Sequence, residues 1–394
     1  PTQISSLHDI LHAMIKYHAS DAFLAVGSPI ILKCQGQNLL FSNEPLSRHH
    51  PLQLLSSILP SSDIETLTSN HDLNTSYMLD LPSPGSSPLG GVFRISAFRQ
   101  RSSYNAVIRY IPQVIPTLAE LRLPQSLSSL ATLKRGLVLV VGSTGSGKST
   151  TLASLLHHRN TTTPGHILTV EDPIEFLHRN QQSIISQREI GRDCPSLNVA
   201  LKNALRQSPD CILIGEIRDR ETFDAALSFA LSGHLVLSTL HANSSVHALS
   251  RIASFYPQEA RPQLLHDLSS ALQSILCQRL LSTTRGSRVP AFELLHNTPF
   301  LRDAIQKGDW AEVRTNLENS TLSNVTTFEQ SIAALIKSGL VSQPEGLSQA
   351  DSPSNLLWLL NNAPSSQAPK NPDPSPQELP FPNLSFDHRS EKPP

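Results

Sequence analysis

Residues 136–156, GLVLVVGSTGSGKSTTLASLL, constrain this chain more than any other stretch. Residues 137–141 are a short apolar, β-branched run and read as a buried strand. Gly142, Ser143, Thr144, Gly145, Ser146, Gly147, Lys148, Ser149 and Thr150 follow at once, and residues 149–156 have the composition of a helix. Strand, glycine-rich loop and helix in that order make a phosphate-binding loop. The glycines let backbone N–H groups curl around an anion without Cβ clashes. The helix start adds free N–H donors and a positive dipole end. In such a loop Lys148 reaches the β- and γ-phosphates of a nucleotide and the Ser149 hydroxyl ligates Mg²⁺. A chance glycine-rich turn would not sit between a strand signal and a helix signal.

The chain has 394 residues, room for two or three domains. Its 31 Lys+Arg nearly balance its 32 Asp+Glu, so no global basic excess points to nucleic acid. Cys34, Cys194, Cys211 and Cys277 are scattered and form no CxxC pair, which argues against a zinc ribbon and for free thiols. The start lacks a basic and apolar signal segment, and the apolar runs fall short of a bilayer span. The expectation is a cytoplasmic protein with at most peripheral membrane contact.

Residues 3–18 carry a helical apolar stripe. Residues 22–26 and 30–34 read as strands, residues 52–59 and 64–67 as short helices, and residues 73–81 as a strand. A flexible loop, PSPGSSPLGG, precedes strands at 92–98 and 106–111. Arg94 and Arg109 lie within those two strands. An arginine in a strand is usually a solvated face residue; the alternative is that one or both reach a phosphate on a neighbouring subunit. A small α+β unit at 1–110 and a proline-bounded linker at 111–119 lead into a larger unit at 120–342.

In the larger unit, strands near 137, 166, 211 and 235 alternate with helices, the pattern of a parallel α/β sheet. Glu171 and Glu175 follow the strand at 167–170, at the carboxyl end where α/β sheets bind ligands. Carboxylates there can hold Mg²⁺ or orient a water, although an acidic turn capped by Asp172 would look the same. Residues 211–214 are apolar and run into Gly215, Glu216, Ile217 and Arg218. Gly215 stands where an Mg²⁺-binding acid is usual, so Glu216 becomes the water-activating base and metal binding falls to Ser149 and Glu171. Arg218 is a charge partner or a phosphate contact. His234 and His241 bracket the strand at 235–239, and both are candidate γ-phosphate sensors, His241 the firmer because it stands at the strand's carboxyl end. Residues 245–281 read as mostly helical, with a break at Tyr256–Pro257. From about Pro344 the chain turns rich in Pro, Ser, Asn and Gln, and residues 343–394 read as a disordered tail.

Taken in order, GSTGSGKST, ILTVEDPIEF, DCILIGEIRD and GHLVLSTLHAN resemble the Walker A, Asp box, Walker B and His box of the secretion-superfamily ATPases. Within that superfamily the chain is similar to the type IV pilus twitching motility ATPases, the PilT/PilU family, over about residues 1–342. NQQSIISQREIG and QLLHDLSSALQSILCQRLL lean toward the PilU branch. VFRISAFRQR and AVIRYIP match the family's arginine-bearing strands, which raises Arg94 and Arg109 to candidate inter-subunit residues. The absence of a four-cysteine zinc insert argues against the pilus assembly and type II secretion branch. The resemblance implies a RecA-like P-loop ATPase domain preceded by a small PAS-like α+β domain, with ATP and Mg²⁺ as cofactors. It implies a homohexamer on the cytoplasmic face of the inner membrane, with the inner-membrane platform protein and a PilT-like ATPase as partners. Two readings compete with a retraction motor: a low-turnover accessory subunit that binds nucleotide, and a nucleic-acid motor, which the neutral charge disfavours.

Overall fold

The computed structural model describes residues 6–34, 37–79, 91–111, 114–320 and 325–362. The amino-terminal part opens with helix α1 (Leu7–Lys16), where the Asp9 carboxylate accepts the Ser6 N–H at 3.1 Å. Strands β1 (Ala19–Leu24), β2 (Ile31–Cys34) and β3 (Gln37–Leu40) follow, then helices α2 (His50–Ser56) and α3 (Ser61–Asn70). Strands β4 (Asp72–Leu79), β5 (Gly91–Gln100) and β6 (Ser103–Ile111) complete a sheet in the order β3-β2-β1-β6-β5-β4, with every neighbouring pair antiparallel. Leu7, Ile10, Leu11 and Met14 recur at helical spacing, are all fully buried, and share a core with Phe93 and Ile95. One row crosses four strands of this sheet: Ser76 opposite Arg94, Arg94 opposite Arg109, and Arg109 opposite Asp21.

The second part contains α4 (Ser126–Ala131), β7 (Gly136–Val141), α5 (Lys148–Thr162), β8 (Gly165–Glu171), β9 (Ser183–Glu189) and α6 (Leu197–Ala204). It continues with β10 (Cys211–Ile214), α7 (Arg220–Leu231), β11 (Leu235–Leu240), α8 (Ser245–Ser254) and α9 (Arg261–Ala271). Strands β12 (Leu272–Ser282) and β13 (Arg288–His296) and helices α10 (Pro299–Lys307), α11 (Trp310–Glu318) and α12 (Phe328–Lys337) close the series. The sheet runs β13-β12-β7-β11-β10-β8-β9, parallel except for the β12–β13 pair. Leu137, Leu139 and Val141 face one core layer; Val138 and Val140 face the other, against α4 and α5. A strand covered on both faces must be apolar at every position, which is why 137–141 lacks polar residues. Among the described residues no helix is long and apolar enough to cross a membrane.

Two expectations are corrected. Residues 272–281 are not helical: they form β12, parallel to β7 on one side and antiparallel to β13 on the other. The apolar run LQSILCQRLL is compatible with a buried helix or a buried strand, and pairing with β7 decides it. The chain also does not lose structure at Pro344. Residues 343–362 form helices α13 (Gln343–Gln349) and α14 (Pro353–Asn362). Pro344 lies in the first turn of α13 and Pro353 begins α14, positions where a missing N–H costs no helical bond. Leu356 is fully buried, and Arg279 clamps the segment through the Gln349 carbonyl (2.7 Å) and the Asp351 carboxylate (2.7 and 2.9 Å). The rest of the expected tail, 363–394, lies outside the described residues.

Candidate nucleotide site

The loop between β7 and α5 is built by close approach. A Cβ on Gly142 would come within 2.3 Å of Ser146 Oγ and 2.6 Å of the Gln278 carbonyl, so only glycine fits. Gly147 ends the loop at φ +89° as the residue before α5, in the left-handed region that other residues avoid. The Lys148 side chain is 8% exposed and folds back, Nζ donating to the Gly142 carbonyl at 3.0 Å and the Ser143 carbonyl at 2.8 Å. Burial lowers its pKa, while Glu216 and Glu175 act to raise it. A desolvated ammonium held only by neutral carbonyls has spare attraction for an anion, which fits a phosphate at this loop. Ser146 Oγ is buried without a hydrogen-bond partner among the described residues.

Loop and acids open onto one cleft of about 560 Å³. Thr144, Gly145, Lys148 and Ser149 form its floor. Glu171 and Glu175 come from the end of β8, Glu216 from the end of β10 and His241 from the end of β11. Because these strands are parallel, their carboxyl ends meet beside the loop that follows β7. Glu216 Oε2 accepts Arg218 Nε at 2.8 Å and Glu216 Oε1 lies 3.0 Å from His241 Nε2. Burial and then the Lys148 charge hold the His241 pKa down, against the pull of Glu216. A neutral His241 then donates its Nε2–H to Glu216. Arg218 is the charge partner of Glu216.

Glu171 is placed differently. Its Oε1 accepts Thr169 Oγ1 at 2.7 Å and Gln187 Nε2 at 3.3 Å, and burial pushes its carboxyl up to about 7. Among the described residues no group of three His, Cys, Asp or Glu side chains forms a metal cage. Gly215 lies against the Glu171 backbone, where a Cβ would sit 3.4 Å from Glu171 Cα.

Outside the loop, two sequence candidates, His234 and Arg109, do not reach the cleft, and within it Gly142, Ser143, Ser146 and Gly147 stand behind the lining residues. His234 precedes β11 at its amino end, about 20 Å along the strand from His241. Its Nδ1 lies 3.1 Å from Ser232 Oγ and 3.2 Å from the Phe229 carbonyl, so it closes the end of α7. Arg109 turns to its own sheet, Nε donating to Asp21 Oδ1 at 2.8 Å. Arg94, its cross-strand neighbour, lines the cleft instead. Thr150 lies one residue beyond the lining, on α5. Residues the sequence did not disclose are Gln187, which holds Glu171, and Glu189, whose carboxylate accepts the Ile174 N–H at 3.1 Å within the acidic loop. Glu189 is 7% exposed. Glu189 closes a largely polar strand whose one apolar pair, Ile184 and Ile185, lies four residues earlier, so the sequence carried no signal for it.

A family model described as "Type II/IV secretion system protein" matches residues 93–333, more than half of the chain. The chain is 40% identical over 353 residues to the type IV pilus ATPase PilU of Pseudomonas aeruginosa, covering 89% of this chain and 90% of that protein. It is 35% identical to the type IV pilus PilT ATPase of the same organism, over 88% of this chain and 99% of the relative. A crystal structure of the pilus retraction motor PilT with bound ADP superposes with a TM-score of 0.81 at 34% identity, covering 89% of this chain and 99% of the other. The fold class is therefore the expected one, a P-loop α/β domain preceded by a small α+β sheet. The chain belongs to the type II/IV secretion system protein family, among the type IV pilus ATPases of the PilU and PilT kind.

Proposed function

We propose that this chain is an ATP-hydrolysing motor subunit of the type IV pilus machinery that powers or assists pilus retraction. The observation that carries the reading is one cleft holding the Lys148 loop, Glu216 and His241. The loop N–H groups and Lys148 bind and orient the phosphates. Glu216, fixed by Arg218 and His241, orients and deprotonates the attacking water. His241, kept neutral, reports the presence of the terminal phosphate by exchanging its bond to Glu216 for one to the phosphate. Mg²⁺, when bound through Ser149 with Glu171 beside it, supplies neutralising charge on the phosphate oxygens. Arg94 adds positive charge from the amino-terminal sheet. The subunits assemble as a homohexamer at the cytoplasmic face of the inner membrane, with the platform protein and a PilT-like ATPase as partners. Residues 1–110 form one domain of the subunit and residues 120–342 the other, joined by 111–119.

A second reading, a low-turnover accessory subunit, draws on Gly215, which leaves no acid at the usual metal position of that strand. One experiment separates the two. Mg²⁺-dependent steady-state ATP hydrolysis by the purified chain, lost in Lys148→Ala and Glu216→Gln, supports the motor. Nucleotide binding without turnover supports the accessory subunit, and the absence of both ends the proposal.

A further inference from the structure

Ser76, on β4 of the amino-terminal sheet, donates its hydroxyl to the Glu189 carboxylate, at 3.0 Å from Oε1 and 3.2 Å from Oε2. Arg192 Nη1 grips the same serine through its carbonyl (3.3 Å) and its Oγ (3.1 Å). Glu189 is the register partner of Glu171 at the carboxyl end of β9, and its Oε2 also holds the Ile174 N–H. The next residue, Ile190, donates its N–H to the Glu171 carbonyl at 2.9 Å. One buried carboxylate thus joins the amino-terminal sheet to the acidic loop of the cleft.

Ser76 is also the cross-strand partner of Arg94. Side chains directly opposite on neighbouring strands share a face, so what fixes Ser76 fixes Arg94. At the other end of the row Asp21 draws Arg109 aside. The Arg94 side chain makes no hydrogen bond or ion pair among the described residues, yet it lines the cleft with Lys148 and Glu216. A buried carboxylate is costly to keep unless its position is specified, and here two donors specify it, the Ser76 hydroxyl from the amino-terminal sheet and the Ile174 N–H from the acidic loop, while Arg192 holds the serine.

We propose that Ser76, Glu189 and Arg192 form an intrachain tether that seats Arg94 in the cleft and fixes the 171–175 loop. Ser76 and Glu189 are then positioning residues for ATP hydrolysis, an inference that rests on the ATPase reading above. Steady-state ATPase kinetics on Ser76→Ala, Ser76→Thr, Arg94→Ala and the Ser76→Ala/Arg94→Ala pair test it. Misplacing a charge by about 1 Å can cost up to about 10²-fold in rate, so Ser76→Ala lowers kcat about tenfold with KM for ATP within about twofold. Ser76→Thr, which keeps the hydroxyl, recovers most of the rate. The paired variant is no slower than Arg94→Ala alone, because the serine acts through the arginine. Wild-type kcat in Ser76→Ala, independent losses in the pair, or a threonine no better than alanine each overturn the tether. If the unmutated chain turns over no ATP, the ATPase reading fails and amide exchange at Ile174 decides the tether instead. Faster exchange in Ser76→Ala supports it, and unchanged exchange overturns it.

Discussion

At the carboxyl end of the parallel sheet, Glu171, Glu175, Glu216 and His241 face a cleft. At the amino end of the same strands, His166, Asp210 and His234 face the backbone. Asp210 Oδ2 accepts the His166 N–H at 2.8 Å, and the His166 ring sits 2.9 Å from both the Gln207 carbonyl and Ser186 Oγ. The two ends use the same side chains for opposite purposes. Where a strand ends and a helix begins, N–H groups point outward and attract anions. Where a helix ends and a strand begins, side chains are consumed in closing carbonyls and turns. The position of a histidine or acid along its strand therefore says more about its use than its identity does.

The comparison breaks most decisively at the loop. Glu216→Gln keeps the shape and one of the two acceptor bonds but removes the proposed base, and loss of a general base costs about 10²–10⁴-fold in turnover. Turnover should fall that far while fluorescent ADP still binds. The matching change at the other end, Asp210→Asn, should leave kcat within about twofold, because its work is a single backbone bond whose loss costs about 1 kcal/mol of stability. A kinetic defect in Asp210→Asn as deep as that of Glu216→Gln would remove the distinction between the ends.

Arg94 and Arg109 sharpen the same point within one row of the other sheet. Both are arginines in adjacent strands, and only the partner differs: the cleft for Arg94, Asp21 for Arg109. Arg94→Ala should lower kcat by about 10²-fold, in the lower range of a charge that stabilises phosphoryl transfer. Arg109→Ala should lie within about twofold, since an ion pair with so exposed an arginine is worth little. Measuring both variants in the same ATPase assay checks this, and equal losses would show that Arg109 reaches a phosphate after all.

The loop and the acids were legible because their chemistry is packed into contiguous stretches. Gly142 to Ser149 carries the glycines, the lysine and the hydroxyl in one turn, and Glu171 and Glu216 each stand just after a short, mostly apolar stretch of strand length. Arg94 and Arg109 were legible as a pair and not as individuals, since only Asp21, 88 residues away, separates their fates. Glu189 was hidden for the same reason: its serine lies 113 residues earlier. The β12 strand was missed because Leu272, Ile275, Leu276 and Leu280 fall at the spacing of a helix face, and only pairing with β7 and β13 makes the segment a strand. Helices α13 and α14 were missed because prolines that begin helices were read as prolines that forbid them.

His241 and His234 give a smaller contrast. His241→Asn removes the neutral ring that braces Glu216, and turnover should fall about tenfold, the low end for groups that orient a base. His234→Asn should leave turnover unchanged and lower the melting temperature by a few degrees at most, the effect of about 1 kcal/mol or less. Steady-state rates and thermal melts on the two variants decide whether the strand ends divide function from closure.

The smallest effect is a pH dependence of stability, and it comes from a cleft residue that does no chemistry. His178 lines the cleft with its Nδ1 buried and unpartnered among the described residues, and burial, then the nearby His157, push its pKa down to about 4. An unfolded histidine titrates near about 6.5. Between those values the unfolded chain binds a proton that the folded chain refuses, so acid favours unfolding. His178 thus contributes stability that is complete above about pH 6.5 and is lost as the pH falls toward about 4, at no more than about 1.4 kcal/mol per pH unit for one proton. Because Glu171, its carboxyl pushed up to about 7 by burial, gives a slope of opposite sign in the same window, denaturant melts between pH 7 and pH 4.5 read the His178 contribution as the difference between the unmutated chain and a His178 variant. His178→Asn, which cannot titrate, should lower the slope of stability against pH by up to one proton's worth. An unchanged slope would mean that the ring meets water at the cleft and that this wall of the site is open rather than dry.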